Sequence, residues 1–371
     1  MDFDFSDEQT QLREAVHKWV DKAYSFEARR DAVAAGGFSV KAYQAMAELG
    51  LSGLYVQDAY GGMNMGPVEG MVVMEELGRG MVLEPLAHTW ISTAVLQGYA
   101  PADVKAAWLP RLASGEALVV LAHHEKGARY HLNQCQATAT QTGDAWQVSG
   151  HKSLVPAGDH AQGFLVPALV NGQQAMCLVP RSAATHTQYA YQAQDGSRMS
   201  ELHLNQAPAE LISMDGLAAL QLAVDIGATA LCAEAVGLMA HTLAITVEYM
   251  NTRQQFGVAI ASFQALRHRV ADMKMQLELG RSMSYYASLK LNAPAAERTL
   301  AVSRAKYQIG RSTRHVGQEA VQLHGGIGVT DEYIISHCFK RLTQIDLSLG
   351  DSLHHLAEVS TQMHDHAGVF A

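Results

Sequence analysis

The hydrophobic pattern changes period twice along the chain. Up to about residue 118 the spacing is helical: Glu8, Gln9, Leu12, Val16, Trp19 and Val20 share one helical face. Two glycine-rich loops follow, Tyr60-Gly61-Gly62-Met63-Asn64-Met65-Gly66 and the stretch after Leu77-Gly78-Arg79-Gly80, with a helix expected from Pro67 to Leu77 between them. From about Leu118 to Leu204 short segments alternate or run apolar: Val119 to Ala122, Gln136 to Thr142, Trp146 to Gly150, Gly163 to Val170, Ala175 to Val179 and Met199 to Leu204. Turn residues separate them at Thr142-Gly143-Asp144, Ala157-Gly158-Asp159, Asn171-Gly172 and Gln194-Asp195-Gly196, which predicts a small antiparallel β domain. From Leu217 onward the helical period returns. Leu266, Val270, Met273 and Leu277 mark one stripe, and breaks at 251–260, 292–294 and 325–328 suit an antiparallel bundle. The expected organisation is mainly α with a middle β domain: helices over 1–117, strands over 118–210 and a helical bundle over 211–371.

Composition narrows the function classes. A chain of 371 residues with 48% hydrophobic residues can bury two or three cores. A net charge of −9 without a basic stripe argues against nucleic acid. The start Met1-Asp2-Phe3-Asp4-Phe5 has no apolar core of a signal peptide. The most apolar stretch, Leu217 to Ala240, carries Asp225 and Glu234, so a buried core helix is expected and not a membrane span. Cys135, Cys177, Cys232 and Cys338 match no zinc or disulfide spacing, which suits a reducing cytoplasm. The pairs His123-His124 and His354-His355 and the tail His364-Asp365-His366 show no metal-ligand spacing and are expected at the surface or at interfaces.

Two segments suggest a ligand. Arg253-Gln254-Gln255-Phe256-Gly257 sets a guanidinium beside an aromatic ring at a helix end. That pairing suits a planar ligand carrying phosphates, although by itself it is also an ordinary capped turn. Gln322-Leu323-His324-Gly325-Gly326-Ile327-Gly328 ends a helix in bare backbone, which is either a C-cap or a place of close ligand approach.

These segments stand with others in a fixed order. Upstream are Ala47-Glu48-Leu49-Gly50-Leu51, Tyr60-Gly61-Gly62 and Glu75-Glu76-Leu77-Gly78-Arg79; between the two lie Phe263-Gln264, His268 and Ala271-Asp272-Met273; after them comes Thr330-Asp331-Glu332-Tyr333. Over nearly its whole length the chain resembles the acyl-CoA dehydrogenase family, whose patterns run E-E-L-G-R, R-x-Q/T-F-G…FQ and Q-x-x-G-G-x-G-x-T-x-E-Y. The resemblance implies an N-terminal helical domain, a middle β-barrel and a C-terminal four-helix bundle. It also implies FAD, an acyl-CoA substrate, electron-transfer flavoprotein as acceptor, and a tetramer built as a dimer of dimers. By the resemblance Arg253, Gln255, Phe256, Gln264, Gln322, Gly325 and Gly326 contact FAD held mainly by a neighbouring subunit.

The sequence departs from the family where the chemistry sits. Family members remove the α-proton of the thioester with a carboxylate that follows Q-x-x-G-G and precedes a glycine; here that place is Leu349, before Gly350. The alternative place on an earlier helix falls on or beside Gly227. Asp225, Asp346 and Asp351 are the nearest acids and are the candidate bases, each equally readable as a buried hydrogen-bonding acid or a cap. The usual T-E-P-x-x-G-S-D reads His124-Glu125-Lys126-Gly127-Ala128-Arg129-Tyr130-His131, and K-x-W-I-T/S-N reads Lys152-Ser153-Leu154-Val155-Pro156-Ala157. The flavin-stacking tryptophan is thus replaced by Leu154, and the flavin-facing hydroxyl by Pro156. Together with Lys340-Arg341-Leu342-Thr343, Gly350-Asp351 and His354-His355-Leu356, this is similar to small subunits of bacterial pimeloyl-CoA-type dehydrogenases, in which a large subunit would carry the base. The other readings are an active homo-oligomer with a relocated base, and a flavin-free structural or binding protein that retains the fold.

Overall fold

The computed structural model describes residues 5–143, 145–181 and 186–366, without the side chains of 186, 187 and 362–366. The first four residues, the Asp144 position of the expected turn, and the side chains of the His364-Asp365-His366 tail lie outside that description.

Six helices come first: α1 (Asp7–Ala23), α2 (Phe26–Ala34), α3 (Val40–Glu48), α4 (Pro67–Arg79), α5 (Leu86–Tyr99) and α6 (Ala102–Ala113). Strands follow as β1 (Val119–Leu121), β2 (Thr138–Thr142), β3 (Ala145–Pro156), β4 (Gly163–Val170), β5 (Gln173–Pro180), β6 (His186–Gln192) and β7 (Arg198–Ser213). The 37-residue α7 (Gly216–Thr252) leads through a small hairpin, β8 (Gln254–Gln255) and β9 (Val258–Ala259), into α8 (Gln264–Lys290), α9 (Ala295–His324), α10 (Ile334–Leu347) and α11 (Ser352–His366). The chain forms two compact units: Met1–Arg29, Pro67–Val82 and Ala228–Ala371 make one, Arg30–Gly66 and Leu83–Gly227 the other.

In the unit that holds the C-terminal helices, the stripe read from the sequence faces inward. Met273 and Leu277 are buried with Val236, Met239, Ile309, Val316, Leu342 and Ile345, and Leu266 and Val270 pack on that cluster. α7 is the one helix among the described residues long and apolar enough to cross a membrane, yet 94% of its apolar window is buried, as a core helix requires.

The Glu75-Glu76-Leu77-Gly78-Arg79 stretch turns out to organise packing. Arg79 donates to Asp21 (2.7 Å) and Glu76 (2.9 Å), tying α4 to α1. That hydrogen bond from Arg79 holds the Asp21 carboxyl below its ordinary value. Where α4 crosses α7 the backbones touch: a methyl group on Gly237 would lie 1.7 Å from the Glu75 carbonyl oxygen. Only hydrogen fits there, so Gly237→Ala must push the two helices apart. We expect it to lower the denaturation midpoint, by about 1–3 kcal/mol of stability or more, as measured by chemical unfolding. A midpoint unchanged from wild type would show that the crossing relaxes freely.

In the other unit the strands close on themselves. β4 pairs β2 and β5, β2 pairs β3, and the 16-residue β7 pairs both β3 and β5, which completes a barrel; β1 joins at β4 and β6 at β7. The barrel is not wholly antiparallel as the turn pattern predicts, because β1 and β2 both run parallel to β4. β6 is a strand the sequence pattern does not show. Its composition is polar, and Tyr189 on it is 60% exposed, so no apolar alternation marks it. On β3 the register slips between Lys152 and Val155, and Leu154 sits in that bulge with φ +54°.

Candidate functional site

Five interactions build one end of the C-terminal bundle. Tyr249, one turn before the end of α7, stacks on His324 at 4.4 Å, and its hydroxyl donates to the His324 carbonyl at 3.3 Å. Tyr333 approaches the same imidazole at 5.3 Å. Backbone bonds from Arg253 N–H to Tyr249 O (2.8 Å) and from Ile260 N–H to Arg253 O (2.9 Å) then fix the hairpin on the helix end. The hairpin closes on two residues, Phe256 and Gly257, both with positive φ. His324 and Tyr333 fall inside quoted motifs, but their meeting with Tyr249 is not legible there, because Tyr249 lies 75 positions before His324.

The anchored end brings the expected FAD contacts onto one structural unit. Arg253, Gln255, Phe256 and Gln264 lie in or just after the hairpin, and Gln322, Gly325 and Gly326 at the end of α9. All are exposed, Phe256 by 91%, with the edge of Phe263 against its ring at 6.1 Å. Gln255 spends its amide on the Gln254 carbonyl at 2.9 Å. Gly325 needs its left-handed φ of +64° at the helix cap. Gly326 does not: its φ is ordinary and a methyl there would meet nothing within 4 Å. Within this chain no steric rule demands glycine at 326.

The places that should carry a base are occupied otherwise. Leu349 and Gly350 form the turn between α10 and α11 with φ +55° and +104°. Four groups pin that turn. Buried Lys306 donates to the Ile345 carbonyl at 2.7 Å, and burial pushes its ammonium below the ordinary lysine value. Asp346 accepts from Ser352 N–H (3.1 Å) and from Arg314 (3.3 Å). Asp351 accepts from His354 N–H at 2.8 Å, capping α11. His355 donates through Nε2 to the Leu349 carbonyl (3.0 Å), which leaves Nδ1 to accept from the Ser303 hydroxyl (3.2 Å). Burial, with Lys306 nearby, drives His355 down to about 3, so it stays neutral. His355 is therefore a buried structural pin and not the surface or interface residue its sequence context suggests; it is 4% exposed. Asp225, in the other unit, is 1% exposed and accepts from the Gln221 amide at 3.0 Å.

The barrel supplies a second cluster. Lys152, fully buried, donates to Glu125 (2.5 Å) and to the Pro167 carbonyl (2.8 Å). Glu125 also accepts from the backbone N–H groups of Gln136 (2.6 Å) and Ala137 (3.1 Å). Burial alone would raise this carboxyl; the hydrogen bond and charge of Lys152 and the two amides outweigh it and hold it low. Both residues fall inside the two motifs that mark the barrel, yet their pairing is invisible until β3 and the segment after β1 are brought together. Leu154 is 51% exposed and offers no aromatic face, and Pro156 pairs with Met199 without a donor of its own.

This architecture is a known one. The family profile described as "Acyl-CoA dehydrogenase, N-terminal domain" matches residues 6–116, and "Acyl-CoA dehydrogenase, C-terminal domain" matches residues 214–357. The probable acyl-CoA dehydrogenase YngJ of Bacillus subtilis is 27% identical over 95% of this chain and 97% of its own. Glutaryl-CoA dehydrogenase of Desulfococcus multivorans is 26% identical over 92% of each. Among solved structures, the Tcur3481-Tcur3483 steroid ACAD superposes with a TM-score of 0.90 at 26% identity, covering 98% of this chain and 99% of that one. The ChsE4-ChsE5 complex from Mycobacterium tuberculosis gives 0.89 at 22% identity, over 98% of this chain and 99% of that one, a likeness of fold.

The chain belongs to the acyl-CoA dehydrogenase family, with its N-terminal helical domain, middle β-barrel and C-terminal helical domain. These are flavoprotein oxidoreductases acting on CH–CH bonds, and the matches favour that activity over a flavin-free structural protein.

Proposed function

We propose that this chain is the base-less subunit of a heteromeric, FAD-dependent acyl-CoA dehydrogenase, completing with its C-terminal hairpin a flavin site held mainly by a large catalytic subunit. One observation carries the reading: Leu349 stands on a pinned turn where the family places its carboxylate, and Gly227 at the alternative place, while Asp225, Asp346 and Asp351 are each engaged by hydrogen bonds. A relocated base is the weaker reading for that reason. Two structural relatives carry names that join two gene products, which supports a hetero-oligomer. The assembly would be a dimer of dimers with electron-transfer flavoprotein as acceptor.

The exposed end of the bundle fits FAD. Arg253 meets no acid among the described residues, and Gly326 is bare although nothing in its own chain crowds it. Both are explained by a ligand that arrives from outside. Arg253 would pair with the pyrophosphate, Phe256 would cover an apolar edge, and Gln255, Gln264 and Gln322 would donate or accept beside the glycine backbone of 325–326. FAD, when bound, supplies the hydride acceptor. In this chain's own barrel, Leu154 and Pro156 remove a stacking face and a hydroxyl.

Arg253→Ala is expected to cut flavin affinity about tenfold or more, the size of a lost charge-assisted pair. Arg253→Lys should recover only part of it, because a lysine lacks the planar fork. Flavin absorbance of the purified assembly reads this, and full occupancy in Arg253→Ala would count against the assignment. The heteromeric reading itself is tested by co-expressing the chain with candidate large subunits, family members that carry the base. Co-purification with activity that neither chain shows alone is the expected result.

A further inference from the structure

The helix α8 carries apolar residues on two sides. Met273, Leu277 and Ala287 turn inward and are buried in the bundle core. Met275, Leu279 and Leu289 are 52%, 44% and 57% exposed, and they are all the strongly exposed large apolar residues of that helix. With exposed Ser282 and half-buried Tyr286 among them they fall at steps of four, three, four and three. A surface helix needs one apolar stripe for its own core. A second stripe of this period is a seam along which helices of separate chains pack.

α9 runs antiparallel beside α8. Ser312 donates to Gln276 at 3.1 Å, Lys290 to Glu297 at 2.5 Å, and Arg269 to Glu319. These contacts bring Ser282 close to the level of Arg304, Met275 to that of Arg311 and Leu289 to that of Glu297. Arg304 and Arg311, seven residues apart, share the exposed side of α9, with Tyr307 half-buried between them. The Arg311 guanidinium stands 5.8 Å from the Tyr307 ring. Arg304 meets no acid among the described residues. The two helices thus present an apolar seam beside a row of arginines.

Both rows have the same centre. Met275 and Leu289 each stand seven residues from Ser282, and Glu297 and Arg311 each stand seven from Arg304. A two-fold axis lying across both helices at that level lays each helix antiparallel on its own copy. It sets Met275 against Leu289 of the second copy, and Arg311 against Glu297, opposite charges at both ends of the face. Leu279 and Tyr286 then fall side by side next to the axis. Ser282, the smallest residue of the seam, sits on it, where the helices must approach most closely. Arg304 is the one like-charge meeting, and its guanidinium has the second copy's Tyr307 ring to stack on.

We infer that two copies of this chain pair through the outward faces of α8 and α9, about a two-fold axis that passes between their Ser282 residues. The face lies along the middle of both helices, away from the hairpin and from the glycine cap at 325–326. A second copy seated there leaves the end proposed to contact flavin open. Two copies of this chain then form the centre of the assembly, with a large subunit at each flavin end. That placement of the large subunit rests on the heteromeric reading; the pairing of the two copies does not.

Analytical ultracentrifugation of the full chain alone, without a second gene product, tests this. The expected result is a monomer–dimer equilibrium at micromolar concentration. Leu279→Asp puts a charge into the seam at a position exposed in the single chain, so it should fold as wild type does and weaken the dimer about a hundredfold or more. Cross-linking fixes the register independently. It is done in a Cys135→Ser background, because Cys135 is the native cysteine that is not fully buried. Ser282→Cys should join two chains by a disulfide under copper–phenanthroline oxidation. Met275→Cys should join Leu289→Cys when the two variants are mixed, and neither should join itself. The inference is overturned if the full chain stays monomeric at tens of micromolar, if Leu279→Asp dimerises like wild type, or if Ser282→Cys fails to cross-link in a dimeric sample. Flavin content and activity enter none of these readouts, so failure here is distinct from failure of the heteromeric reading.

Discussion

Assayed alone, the chain should reduce flavin with acyl-CoA about 10²–10⁴-fold more slowly than a family member that carries its base. The loss follows from position. Proton abstraction needs an acceptor within hydrogen-bond reach of the α-carbon, and Leu349 and Gly227 offer none. The nearby acids are not idle: Asp346 bridges Ser352 and Arg314, Asp351 caps α11, and Asp225 takes the Gln221 amide. Moving any of them to substrate would break the contacts that hold its own helix. The turn itself is well held, with Lys306, Asp346, Asp351 and His355 fixing its backbone. On the proposed heteromeric reading, mixing with a partner that carries the base should restore activity, with one active site per heterodimer. Stopped-flow flavin reduction by a panel of acyl-CoAs, for the chain alone and for the pair, decides the matter. Rapid reduction by the chain alone would refute the base-less reading, and Asp225→Asn, Asp346→Asn and Asp351→Asn would then be the variants to make first.

The largest stability effect is expected at Lys152. Lys152→Met removes the cation from a buried pair and leaves the Glu125 carboxylate among backbone amides without its charge partner. Breaking a buried pair from one side costs about 3–5 kcal/mol, enough to drop the thermal midpoint markedly. The pH dependence separates this cause from a simple packing defect. In the wild type the folded carboxyl of Glu125 lies below its unfolded value. Its contribution is therefore fully present above the ordinary carboxylate range and is lost as pH falls through the folded value. In Lys152→Met the folded carboxyl is left with burial, which raises it, so the variant's deficit should be greatest near neutral pH and shrink on acidification. The double variant with Glu125→Gln should recover part of the loss. A deficit that stays constant from neutral to acidic pH would point to lost packing instead of a stranded charge.

Much of the architecture was legible without coordinates because periodicity is local. A stripe such as Leu266, Val270, Met273 and Leu277 must bury one face of a helix, and turn residues between short apolar runs must close strands. The absence of a carboxylate at 349 and 227 is likewise a fact of sequence order. The structure decided what depends on meetings between distant segments. β1 and β2 run parallel to β4, contrary to the antiparallel expectation, because chain direction across a sheet is set by connections and not by alternation. The polar β6 forms only because β7 offers it an edge. Glu125 and Lys152 stand 27 positions apart, and neither is explicable until burial forces them to share a charge. His355 was expected at the surface or at an interface and lies inside its own chain, where the imidazole satisfies a carbonyl and a hydroxyl. Local pattern determines which face of an element seeks the core; only packing determines which polar groups must find each other once they are there.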